Sequence, residues 1–198
     1  MKNIILCLAL AATTLAACSG NSNKSVESQN RSFHKQAISL MDNTTTSSTA
    51  HAKQKVSVKV IVDAYLQIKN AFTADNSTAA AAAGKKLETA FKNFDKSVLF
   101  AAQKKIYVDV ETDAIEHAQH IGANGGKIVH QREHFVLLSK DMYDLVKAFG
   151  GGLVLYKDFD PMANNGKGAF WLSETKESKN PYMGKAMLTS GSMKEDIK

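Results

Sequence analysis

The chain has 198 residues, with 25 Lys and Arg against 19 Asp and Glu and a formal net charge of +6. That length suits one domain with a real core. The basic excess is scattered, with doublets only at Lys85-Lys86 and Lys104-Lys105, so it reads as a solvated surface and not as a nucleic-acid footprint. Both cysteines, Cys7 and Cys18, fall at the extreme N-terminus, which excludes a disulfide, a cysteine nucleophile or a thiolate metal site from the body.

Lys2, an apolar run over residues 4–12 and the small-residue stretch Leu15-Ala16-Ala17 follow the plan of an export signal. Cys18 directly after Leu-Ala-Ala resembles the lipobox of bacterial lipoproteins. The resemblance implies cleavage before Cys18, acylation of that residue, and a place in the bacterial envelope, at the outer membrane facing the periplasm. No later apolar run approaches the roughly 18 residues of a membrane helix, so attachment is expected through acyl chains alone. Residues 1–17 are thus read as signal peptide. Residues 18–52, dominated by Ser, Thr, Asn and Gln, read as a flexible tether that buries too little apolar area to order itself. A weak patch of helical spacing, Phe33, Ala37, Ile38 and Met41, interrupts it.

Residues 53–150 are expected to form a helical bundle. Val56, Val60, Ala64, Ile68 and Phe72, flanked by Ile61 and Tyr65, mark a first amphipathic helix. Asp75-Asn76-Ser77 breaks it and caps a second, which runs through the alanine block at 79–83 to Leu87, Ala90, Phe91 and Phe94. A third helix after Asp95-Lys96-Ser97 carries Tyr107, Val110, Ala114, Ala118 and Ile121, and stops at Gly122-Ala123-Asn124-Gly125-Gly126. The fourth presents Ile128, Phe135, Leu138, Met142, Leu145 and Phe149, with Gln131 the one polar member of the stripe. Short connections imply antiparallel neighbours and an up-down four-helix bundle.

Residues 151–198 complete the same domain. Strands are expected at 153–156 and 169–172, joined by a turn over 161–168 that contains Asn164-Asn165-Gly166. The tail to Gly191 reads as irregular with a short helical turn. This hairpin module is too small to stand alone and is placed on one end of the bundle, giving a mainly α fold.

The order Asp160-Pro161-Met162-Ala163, Gly168-Ala169-Phe170-Trp171-Leu172-Ser173, Asn180-Pro181-Tyr182-Met183-Gly184, Met187-Leu188 and Ser190-Gly191 resembles the domain-of-unknown-function family 3347. Gln131-Arg132-Glu133-His134-Phe135 resembles its last bundle helix, and the likeness spans about residues 56–191. Members are exported or lipid-anchored proteins, and the domain is also appended to periplasmic adaptor subunits of heavy-metal efflux pumps. The resemblance therefore implies handling of a soft ion such as copper, with a metal ion or an efflux component as partner. Where members commonly read Cys-Pro-Met and Cys-Gly, this chain has Asp160 and Ser190. A carboxylate and a hydroxyl suit soft ions poorly, whereas Met162 and Met187 retain thioethers that either ligate weakly or simply pack. If relatives hold one ion through those positions, Asp160 and Ser190 lie close together. Trp171, Pro181 and Tyr182 are expected to anchor the fold.

His130 and His134 share a face of the fourth helix, and His117 and His120 lie on the third. In an antiparallel hairpin His120 comes level with His130 and His117 with His134. The two pairs converge for one hand of the hairpin and diverge for the other, and the spacing leaves that open. The candidate metal ligands are then His130, His134, Met162, Met187 and Asp160. Arg132-Glu133 reads as a solvated pair, or Arg132 as a brace for the C-terminal module. Nucleophile-elbow, phosphate-loop, zinc-protease and dinucleotide motifs are absent, so no enzyme is expected.

Overall fold

The computed structural model describes residues 57–198, which fall within one compact unit, Ala50–Lys198. The signal, the lipidation site Cys18, the tether and Val56 lie outside the described residues. Helix α1 (Lys59–Thr73) buries Ile61, Ala64, Tyr65, Ile68 and Phe72. Val60, read as part of the apolar stripe, is instead 71% exposed. Steps of four residues drift around a helix with 3.6 residues per turn, so the core face follows the mixed steps 61, 65, 68 and 72.

Asn76 caps α2 (Ser77–Lys92) by accepting from the Ala79 N–H at 2.9 Å. Gly84 lets α2 lie close to the next helix, because a Cβ there would stand 2.8 Å from the Ala118 carbonyl oxygen and 2.9 Å from the Gly122 nitrogen. Asp95 caps a short 3-10 turn, Lys96–Val98, by accepting from the Ser97 N–H at 2.9 Å, and α3 (Ala101–Ala123) starts after it rather than directly after Ser97. In α4 (Ile128–Phe149) the buried Gln131 is explained by its partners: its amide donates to the Ile121 carbonyl at 2.9 Å and the Ser77 carbonyl at 3.1 Å. Successive helices pack on one another and α4 closes against α1, the arrangement of the expected bundle. Tyr65 stacks on Phe135 with ring centres 5.1 Å apart, and Phe72 meets Phe135 edge-on.

The C-terminal module is a three-stranded antiparallel sheet, β1 (Leu155–Asp160), β2 (Ala169–Ser173) and β3 (Ser192–Ile197), in the order β2-β1-β3. The third strand is not visible in the sequence. It is an edge strand whose one buried residue is Ile197, so Ser192 to Asp196 carry no alternation. Strand β1 lies later than the sequence places it, and its polar members Asp158 and Asp160 are both buried. The sequence places the module at one end of the bundle; its contacts run along α4. Arg132 reaches the Pro181 carbonyl at 2.7 Å, Tyr143 packs edge-on against Phe170, and Lys147 pairs with Glu195 at 2.7 Å. On α1, the Tyr65 hydroxyl accepts from the Leu172 N–H at 3.0 Å and stands 2.9 Å from Ser139 Oγ.

Candidate metal centre

The α3–α4 hairpin takes the hand that brings the histidines together. Ala114, Ala118 and Ile121 of α3 and Phe135 and Leu138 of α4 face the core. That leaves His117 and His120 beside His130 and His134 along the outer rim of the seam. The His120 and His134 rings are stacked, 4.1 Å apart and within 5° of parallel. His130 meets His134 edge-on at 4.7 Å and His120 edge-on at 6.0 Å. Nitrogen atoms of His120, His130 and His134 all lie within 4.8 Å of one another. His117 joins through His134, with their Nδ1 atoms 3.3 Å apart.

Burial pushes the His134 imidazole down to about 4, and the neighbouring rings of His120, His130 and His117 push the same way, against a weaker pull from Glu133. Burial lowers His117 too, with Glu116 and Asp113 opposing. Both rings are therefore neutral at neutral pH and carry the free lone pairs a metal requires. Carboxylates flank the rim: Glu133 stands 3.3 Å from His130 and Glu116 4.0 Å from His120. The donor set is imidazole, which suits zinc, copper(II) and nickel.

The other proposed ligands belong to the C-terminal module. Asp160 and Ser190 do come together, 3.2 Å between Oγ and Oδ2. The Asp160 carboxylate is only 2% exposed and already accepts from the Asn180 amide at 2.6 Å and the Met162 N–H at 2.9 Å. Met162 and Met187 are 62% and 46% exposed. The Met162 side chain opens onto a cleft of about 280 Å³ with Tyr182 and Met183. A soft ion fits this set poorly, since the buried carboxylate is a hard donor engaged with hydrogen bonds and the thioethers sit at the surface. Asp160 is a structural acceptor and is not part of the converging group of His120, His130 and His134.

Trp171 is fully buried, edge-on to Tyr182 at 5.8 Å. The chain passes tightly over it at Gly191 (φ +94°), where a Cβ would come within 2.9 Å of the indole. Tyr182 donates to the Phe170 carbonyl at 2.7 Å. Arg132, half of a pair read as solvated, is the brace of the sequence's other alternative. It holds the Pro181 carbonyl, the Phe72 carbonyl at 2.9 Å and Asp75 at 2.7 Å, tying α1, α4 and the C-terminal module together. The sequence gives no sign of Lys69, buried on the core face of α1 and paired with Glu174 at 2.8 Å. Near that pair the fully buried Asp158 is pushed up to about 6 by burial, against Ser178 and Lys69.

Fold and seam together define a helical-bundle domain with a histidine cluster on the rim of its α3–α4 seam and a small sheet packed along α4. The model of the family described as "Protein of unknown function (DUF3347)" matches residues 61–152, from the first turn of α1 through the glycines after α4, and over that span the chain is similar to it. The Asp-Pro-Met, Trp-Leu-Ser and Asn-Pro-Tyr elements lie beyond the matched residues. No curated protein and no solved structure matches the chain.

Proposed function

We propose that this protein is a lipid-anchored lipoprotein of the bacterial envelope that binds a transition-metal ion through imidazoles of the α3–α4 seam and holds it for a partner such as an efflux component. The observation that carries the reading is the convergence of nitrogen atoms from His120, His130 and His134 to within 4.8 Å. Three imidazoles with nitrogens at that spacing offer a shared set of metal ligands, and burial and the neighbouring rings keep His134 unprotonated. Anchoring through Cys18 rests on the Leu-Ala-Ala-Cys sequence. Among the described residues no helix is long and apolar enough to cross a membrane.

The test is titration of the purified full chain with zinc(II), copper(II) and copper(I). Sub-micromolar binding that is abolished by His134→Ala and untouched by Met162→Ala is expected. Absence of binding for every ion at that level removes the metal reading. One observation favours a second reading, a protein-interaction lipoprotein. A groove of about 720 Å³ between the start of α1 and the end of α2 is lined by Val58, Val60, Phe94 and Val98, and Val60 and Val98 are exposed. Full metal-independent function of the His134→Ala chain in its host would select it.

A further inference from the structure

His117 stands outside the threesome of His120, His130 and His134, yet it meets His134 directly. The two Nδ1 atoms are 3.3 Å apart. In the metal-free chain one ring donates a hydrogen bond to the other across this gap, the direction set by the tautomers. Two nitrogens bound to one tetrahedral zinc at about 2.0–2.1 Å each stand about 3.3–3.4 Å apart. The hydrogen-bonded spacing equals the edge of such a tetrahedron, so an ion that replaced the shared proton would meet both nitrogens with little movement of either ring. The 48° tilt between the rings is compatible with both lone pairs meeting at one ion.

The rest of the cluster differs in freedom. The side chains of His120 and His130 are 45% and 41% exposed, and each leans on an acidic neighbour of its own helix. An imidazole lone pair lies in the ring plane. Parallel rings such as His120 and His134 direct their lone pairs along separate planes, so both cannot reach one ion while the stack persists. His120 must turn out of its stack to ligate, and its exposure leaves room for that. His130 is edge-on to His134 and nearly as exposed as His120, so it is free to swing from Glu133 towards the inner edge.

The geometry points to a tetrahedral four-histidine site for a zinc-class divalent ion, in which His117 Nδ1 and His134 Nδ1 form the fixed inner edge and His130 and the turning His120 close it from the rim. This rests on the metal reading above and sharpens it: the ion is one that prefers tetrahedral nitrogen coordination, and His117 is a ligand and not a bystander. Gly84, Ala118 and Gly122 hold α2 tightly against α3 and so fix the inner rail on which His117 sits.

The experiment uses the full chain with cobalt(II) as a spectroscopic stand-in and zinc(II) by competition. The expected results are the intense visible absorption of tetrahedral cobalt, and four nitrogen neighbours in the X-ray absorption of the zinc-loaded chain. His117→Ala should abolish the cobalt band and weaken zinc by more than the roughly 10–100-fold that loss of an outer-shell partner costs. Three nitrogen neighbours, or a His117→Ala chain that keeps the tetrahedral band, overturns the assignment of His117 while leaving the site itself standing. A full chain that binds neither ion overturns the functional reading and this inference together. The neighbour count is made on the unaltered chain, so a folding defect in the variant does not blunt the test.

Discussion

The α3–α4 seam and the Asp160 pocket both gather polar side chains at the junction of two elements, but their balance of donors and acceptors runs in opposite directions. Around Asp160 the acceptor is met by N–H and O–H groups from Asn180, Met162 and Ser190. In the seam, ring nitrogens face ring nitrogens, and burial and mutual repulsion drive His134 away from protonation. A satisfied carboxylate is a fastening, whereas gathered imidazole nitrogens are groups of the kind that ligate a cation. The same domain therefore carries a closed polar lock in the sheet module and an open donor set on the bundle, although the sequence pools residues of both into one candidate site.

The largest effect that separates the two regions is expected at Trp171. Replacing it with alanine removes a fully buried indole, and large aromatic-to-alanine changes in cores cost about 3–5 kcal/mol. Thermal unfolding should shift down by a similar amount with and without zinc. A destabilisation that zinc rescues selectively would mean that module and seam are one coupled unit, and the contrast would fail.

Next in size is Asp160→Asn. In either amide orientation the new NH2 would confront a donor, the Asn180 amide that now reaches Oδ2 at 2.6 Å or the Met162 N–H that reaches Oδ1 at 2.9 Å, and an unmade buried hydrogen bond costs about 1–3 kcal/mol. Calorimetric stability should drop within that range while zinc affinity stays that of the parent chain. A fall in affinity would return Asp160 to the ligand set.

What the sequence discloses and what it hides divide along the same physical line. Asn76, Asp95 and the glycines after α4 act locally, so the element order could be read from them. Tyr107, Val110, Ala114, Ala118 and Ile121 form a regular stripe, and all are buried as expected. Lys69 offers no such clue, because its burial depends on Glu174, over a hundred residues away in the chain. Strand β3 is invisible because an edge strand lacks an apolar face. The meeting of the histidines depends on the hand of one hairpin, and α1 and α2 settle that hand by packing on its apolar side. Sequence spacing can level His117 with His134 but cannot choose the side on which they meet.

The smallest expected effect concerns proton linkage, where the two regions oppose each other again. Burial and the neighbouring rings hold the His134 imidazole at about 4 in the folded chain, below its ordinary 6.5. As pH falls from 6.5 towards 4 the unfolded chain takes up this proton first, so the imidazole lowers stability over that window. Asp158 is raised from 3.8 to about 6. As pH falls from about 6 towards 3.8 the folded chain takes up its proton first, so this carboxyl raises stability over nearly the same range. The His134 ring is only partly buried, so solvent screens its share. Relative to the parent chain, His134→Ala should gain melting temperature on acidification from pH 6.5 to 4, and Asp158→Asn should lose it. The double variant should track the parent most closely, because the two sites lie in separate regions and their effects add. Differences of the same sign in both variants would show that the burial assigned to one of the two groups does not govern its proton.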